Sequence, residues 1–132
     1  MTDVQNFDVV EQASAVAFAP TLDRLVAAIE AAGLTVFARI DHAAGAGAAG
    51  LAMPPTTVLL YGTPKGGTPL MLAAPLAALD LPLRVLVREA EDGRALVSFH
   101  PAAPMLRRAG VPDTLATRLD PAQRLLLQAI AS

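Results

Sequence analysis

The chain has no cysteine. That excludes disulfides, thiol redox chemistry and thiolate zinc sites. It has no tryptophan either, and aromatic residues make up only 4% of its 132 positions. Base-stacking platforms for nucleic acid need more aromatics than that. Positive charge is scarce too. Lys65 is the only lysine, the arginines are scattered apart from Arg107-Arg108, and the formal net charge is −2. A nucleic-acid binder of this size is usually basic, so no nucleic-acid partner is expected. No apolar run approaches the roughly 18 residues of a membrane span, so no membrane partner is expected. Met1-Thr2-Asp3-Val4 shows neither the basic region nor the apolar run of a signal peptide. The expected location is the cytoplasm.

What is present is mostly aliphatic. Hydrophobic residues make up 54% and charged residues 17%, with a mean hydropathy of +0.48. Much of this is alanine. A small domain with so few charges is expected to cover apolar surface with a second copy of itself. The length suits one domain over residues 1–132, with a last helix over about 121–131. At this size folding removes roughly 70% of the unfolded chain's surface, enough for a true core.

Periodicity supplies the elements. Ser14 to Ala19 alternates Ala against Val and Phe and reads as a first strand. Thr21 reads as the N-cap of a helix over 21–32, with Leu22, Leu25, Val26 and Ile29 at helical spacing and Gly33 as its stop. Residues 34–41 alternate as a half-buried strand. A loop or helical turn follows to Leu51, then a central strand Val58-Leu59-Leu60-Tyr61. Thr68-Pro69 reads as cap and first residue of a short helix, ended near Pro75. Leu83 to Val87 and Ala95 to Phe99 form a hairpin across Glu91-Asp92-Gly93. Asp120-Pro121 opens the last helix. This order predicts an α+β domain in two layers, a mixed sheet of roughly five strands with helices on one face. Leu86, Leu96 and Phe37 fall on the minority face of their strands, which again suggests a dimer.

Polar and special-geometry residues concentrate in the middle of the chain. Asp41-His42 sits at a strand end. Asp41 can cap the following turn, or the pair can serve a ligand or a general base. Gly62-Thr63-Pro64-Lys65-Gly66-Gly67-Thr68 is either a rigid turn or an anion cradle made of backbone amides and one cation. It is not a phosphate-binding Walker loop, because the Gly-Lys-Ser/Thr order is absent. Tyr61 precedes it. Whether His100 joins His42 or Lys65 depends on whether the third and fourth strands run parallel or antiparallel. No third ligand pair supports a metal. No nucleophile motif is present around Ser14, Ser98 or Ser132.

The run from Phe37 to Asp41-His42, with Gly50-Leu51, Pro55-Thr56, Gly62-Thr63-Pro64-Lys65, Gly67-Thr68-Pro69-Leu70-Met71, Pro75, 78–83 and the Gly93 hairpin, resembles a known family. It is the bacterial and archaeal family catalogued as domain of unknown function 302, and the resemblance covers about residues 14–110. It implies a small α+β domain, homodimeric in relatives, with no established activity. The family pattern has Gly-Asn-Pro where this chain has Gly62-Thr63-Pro64. It often has Tyr with a nearby Asp-Pro where this chain has Phe99-His100-Pro101.

These readings lead to a dimeric domain that binds a small ligand or a partner and has no assembled catalytic set. Its candidate ligand-binding residues are Asp41, His42, Tyr61, Gly62, Thr63, Lys65, Thr68 and His100. The alternative is a small enzyme with His42 or His100 as base, and with Lys65 and the loop amides holding an anionic substrate. No cofactor is specified by the sequence.

Overall fold

The computed structural model describes residues 9–132; the Met1-Thr2-Asp3-Val4 stretch read for a leader lies outside them. Five strands, β1 (Val10–Ala13), β2 (Thr35–Asp41), β3 (Thr56–Gly62), β4 (Leu83–Glu89) and β5 (Ala95–Phe99), form one sheet in the order β1-β5-β4-β3-β2. Between and after them come α1 (Phe18–Ala31), α2 (His42–Ala48), α3 (Pro64–Ala73), a 3-10 turn (Pro75–Asp80), α4 (Ala102–Arg108), α5 (Asp113–Ala116) and α6 (Asp120–Ile130). This is the expected α+β class with five strands. None of these helices is long and apolar enough to cross a membrane.

The sheet is antiparallel at every described pairing rather than mixed. The connection from β3 to β4 is long enough for a parallel crossover. Instead α3 and the 3-10 turn fold back, and Leu83 pairs with Tyr61 at the end where β3 left the sheet. The chain returns where it departed, so β4 must run the other way.

The first strand is earlier and shorter than its alternation suggested. Ser14 to Ala17 is a bend: the Val16 amide donates to Ser14 Oγ at 3.3 Å, and the Thr21 hydroxyl donates to the Val16 carbonyl at 3.1 Å. Thr21 therefore does not cap α1. It is fully buried inside the first turn, and Ala17 holds the cap position. Alternating alanine is a weak strand signal, because a methyl group contributes little to either face. The other end of α1 is as expected. Gly33 adopts φ +79°, and the Leu34 amide reaches back to the Ile29 carbonyl at 3.1 Å, the pairing of a Schellman stop.

Helices α4 and α5 do not emerge from sequence pattern, because Pro101, Pro104, Gly110 and Pro112 read as breakers. Pro104 lies in the first turn of α4, where a backbone donor has no helical acceptor to lose. Gln123 of α6 ties this region down. Its Nε2 donates to the His100 carbonyl at 2.8 Å, and its Oε1 accepts from the Ala102 amide at 2.9 Å.

The core lies between one sheet face and the helices. Leu59 and Tyr61 of β3, Val85 and Val87 of β4 and Val97 of β5 meet Leu25 and Ile29 of α1, Leu70 of α3, Leu106 of α4 and Leu126 and Ile130 of α6, all fully buried. Each such aliphatic side chain contributes roughly 1.5–3 kcal/mol by leaving water. The opposite face mixes apolar and polar side chains. Cross-strand register lines up Ile40, Val58, Leu86, Ser98 and Glu11 over all five strands. Glu11 Oε2 accepts from the Ser98 hydroxyl at 2.7 Å and from Arg88 at 3.3 Å. The Ser98 hydrogen bond, aided by Arg88, holds the Glu11 carboxyl below its ordinary value.

Candidate ligand cavity

The strand register separates the residues that the sequence grouped into one site. Asp41 pairs with Thr57 and Gly62 pairs with Thr35, so they lie at opposite ends of the β2–β3 pair. Five residues of strand put them about 17 Å apart along β3. Asp41 caps α2, with Oδ1 accepting the Ala44 amide at 2.9 Å. His42 is the first residue of that helix and is exposed. Asp41-His42 therefore does not wall a pocket with Lys65.

His100 follows β5, beyond Ser98, which pairs with Leu86. The antiparallel sheet thus sends it to the Gly62 end, away from His42. There it lines a cavity of about 240 Å³ with Asp80, Arg84 and Gln123. Among the described residues, no group of three or more His, Cys, Asp or Glu side chains is placed to hold a metal ion.

The glycine-rich segment is mostly helix. Of the two Thr-Pro pairs, Thr63-Pro64 rather than Thr68-Pro69 starts α3. Thr63 Oγ1 accepts the Gly66 amide at 3.0 Å, and the Thr63 carbonyl accepts the Gly67 amide at 3.0 Å. Those two donors are consumed by the cap, which undoes the anion cradle. Lys65 and Thr68 are exposed on the helix, and Pro69 lies inside it. The first Thr-Pro wins because Thr63 directly follows the last strand residue, where extended backbone suits a cap.

What does assemble at this corner is apolar. A cavity of about 150 Å³ opens between the end of the β2–β3 pair and the start of α3. Leu34 and Phe37 form one wall, Tyr61 and Gly62 its floor, and Gly66, Gly67 and Met71 of α3 another wall. Leu81-Pro82 and Leu119 with Ala122 complete it. A register shift between Val36 and Ala38 bulges β2 at Phe37, and the ring comes near Gly62. A Cβ on Gly62 would lie 3.9 Å from Phe37 Cε2. Gly62 itself has φ +150°, which only glycine adopts cheaply.

Of the eight candidate residues, Tyr61, Gly62 and Thr63 border this cavity. Tyr61 is fully buried, and its hydroxyl donates to the Ala122 carbonyl at 2.9 Å. Burial pushes its phenol above the ordinary range, so it is a neutral wall and not a proton donor near neutral pH. Leu34, Phe37, Met71, Leu81, Leu119 and Ala122 were missed because a search for chemistry seeks polar side chains. The usable signal was the Gly66-Gly67 pair, two poor helix formers placed early in a helix.

These features define a small two-layer α+β domain with an apolar cavity at its β3–α3 corner. The chain belongs to the family described as domain of unknown function DUF302, whose model matches residues 10–132. The match extends beyond 14–110 through α6. The fold is also that of an uncharacterized conserved DUF302 protein from Bacillus stearothermophilus. Its crystal structure superposes with a TM-score of 0.79 at 14% identity, covering 93% of this chain and 95% of that one. A protein of Brucella suis named fluoride-specific ion channel FluC 1 is 39% identical over 90 residues, which are 68% of this chain and 35% of that protein. The Brucella abortus protein of the same name is 39% identical over 68% of this chain and 33% of its own length. The match with this chain spans about a third of those relatives.

Proposed function

We propose that this protein is a homodimeric cytoplasmic domain that binds a small ligand or a protein partner and has no assembled catalytic set. The observation that carries this reading is the apolar cavity of about 150 Å³ between strand ends and the start of α3. Ligand sites are typically concave, mostly apolar and built on rigid elements. The dimer is supported by the second sheet face, where Val58, Leu60, Leu86 and Leu96 are only half-buried in the single chain and Ile40 is exposed. Apolar side chains grouped on one sheet face, here interspersed with Arg84, Arg88 and Glu11, support an interaction surface. The partner reading draws support from the Brucella relatives, in which the matched stretch is a third of a larger chain. The enzyme alternative needed a histidine base beside the Lys65 loop. His42 lies at the far end of β2, and His100 lines other cavities.

Native mass spectrometry tests the dimer. The expected result is a dimer at twice the 13.6 kDa chain mass. A monomer would sink the dimer. Leu86→Arg replaces the apolar side chain between Arg84 and Arg88 with a third arginine and is expected to give a folded monomer. A persisting dimer would move the interface elsewhere, with Leu72, Leu76 and Leu79, each at least 71% exposed, as the next surface to alter.

A further inference from the structure

We infer that the β3–α3 cavity takes an uncharged, apolar ligand whose buried part is about the size of a single aromatic ring. This rests on the binding-domain reading above and deepens it. Three observations converge on this class of ligand.

The first is the polar inventory. Among the described residues, no charged side chain lines the cavity. Of its two side-chain hydroxyls, Tyr61 donates to the Ala122 carbonyl, and Thr63 accepts the Gly66 amide and has one proton left to donate. A charged ligand would lose its hydration and find no side chain of opposite charge to compensate.

The second is volume. A cavity of about 150 Å³ has the volume of an apolar cavity of roughly 150 Å³ that accepts benzene, although this one opens to solvent at Phe37. Phe37, 49% exposed, offers its ring at the rim. Met71 supplies a flexible wall that can follow a ligand's outline.

The third is the glycine pair. A methyl on Gly67 would meet Met71 Cε at 3.7 Å and Leu81 Cδ1 at 3.8 Å, both ordinary contacts. Packing therefore does not demand glycine here, and helix propensity disfavours it. What glycine preserves is open space between α3 and Leu81.

The test uses the full chain and toluene as probe, followed by amide chemical shifts, with benzoate as the charged counterpart of similar shape. Toluene is expected to shift Phe37, Gly62, Gly67 and Met71 saturably, and benzoate to bind at least tenfold more weakly. Gly67→Ala, which should fold well, is expected to weaken toluene at least fivefold. Met71→Phe, filling the cavity from another wall, should do the same. No saturable shift with toluene, equal binding of benzoate, or shifts confined to the other sheet face would overturn the inference. The dimer stands or falls separately by native mass. A dimer that carries a co-purified small molecule yet ignores toluene would leave the binding-domain reading standing and sink the apolar assignment.

Discussion

Replacing Gly67 with alanine should make this protein more stable. Gly67 is the fourth residue of α3, where glycine costs roughly 0.5–1 kcal/mol relative to alanine through backbone entropy. The new methyl would meet side-chain atoms at 3.7 and 3.8 Å, so nothing has to move. The expected gain is about 0.5–1 kcal/mol, which raises Tm by about 2–4 °C for a domain of this size. Its neighbour provides the control. A Cβ at Gly66 would lie 3.3 Å from Thr63 Oγ1, the cap oxygen. Displacing that oxygen weakens a cap worth about 1 kcal/mol, so Gly66→Ala should come out near zero or destabilising. Gly62→Ala should be the worst of the three, losing about 1–3 kcal/mol to backbone strain at φ +150°. Urea unfolding followed by far-UV circular dichroism would rank them, with the slope m unchanged if only stability moves. A destabilised Gly67→Ala, or one no better than Gly66→Ala, would refute the reasoning. It would mean that the space beside Gly67 is needed for packing rather than left open.

Two further outcomes follow from the buried polar contacts. Tyr61→Phe removes the hydrogen bond to the Ala122 carbonyl and should cost about 1–2 kcal/mol. Because burial raises the Tyr61 pKa in the folded state, its share of stability is complete below about pH 10. That share is lost as pH rises beyond, and the variant should lose this alkaline slope; an unchanged slope would place its origin elsewhere. Gln123→Leu strands the buried Ala102 amide and the His100 carbonyl, for a loss of about 2–4 kcal/mol in denaturant unfolding; a change under about 0.5 kcal/mol would show that water replaces the side chain.

Local chemistry made much of the fold legible. Leu22, Leu25 and Ile29 repeat at helical spacing, and Gly33 stops α1 where its φ of +79° requires glycine. The β4–β5 hairpin, turning at Gly93 with φ +86°, is equally local. Asp41 is as readable, because a cap depends only on the next three residues. Reading failed where two local signals compete. Thr63-Pro64 and Thr68-Pro69 are both good helix starts, and only the end of β3 at Gly62 selects the first.

The sequence by itself determined the class of the domain and the position of most of its strands, since each follows from periodicity and turn chemistry over a few residues. Tertiary structure alone decided which residues share the cavity corner. The antiparallel return of β4, the bulge at Phe37 and the docking of Ala122 over Tyr61 join segments about 20 to 60 residues apart in the chain. The same register carried His42 to the far end of the sheet. Pairing register is set by the burial of whole faces at once, and no short window of sequence contains that sum.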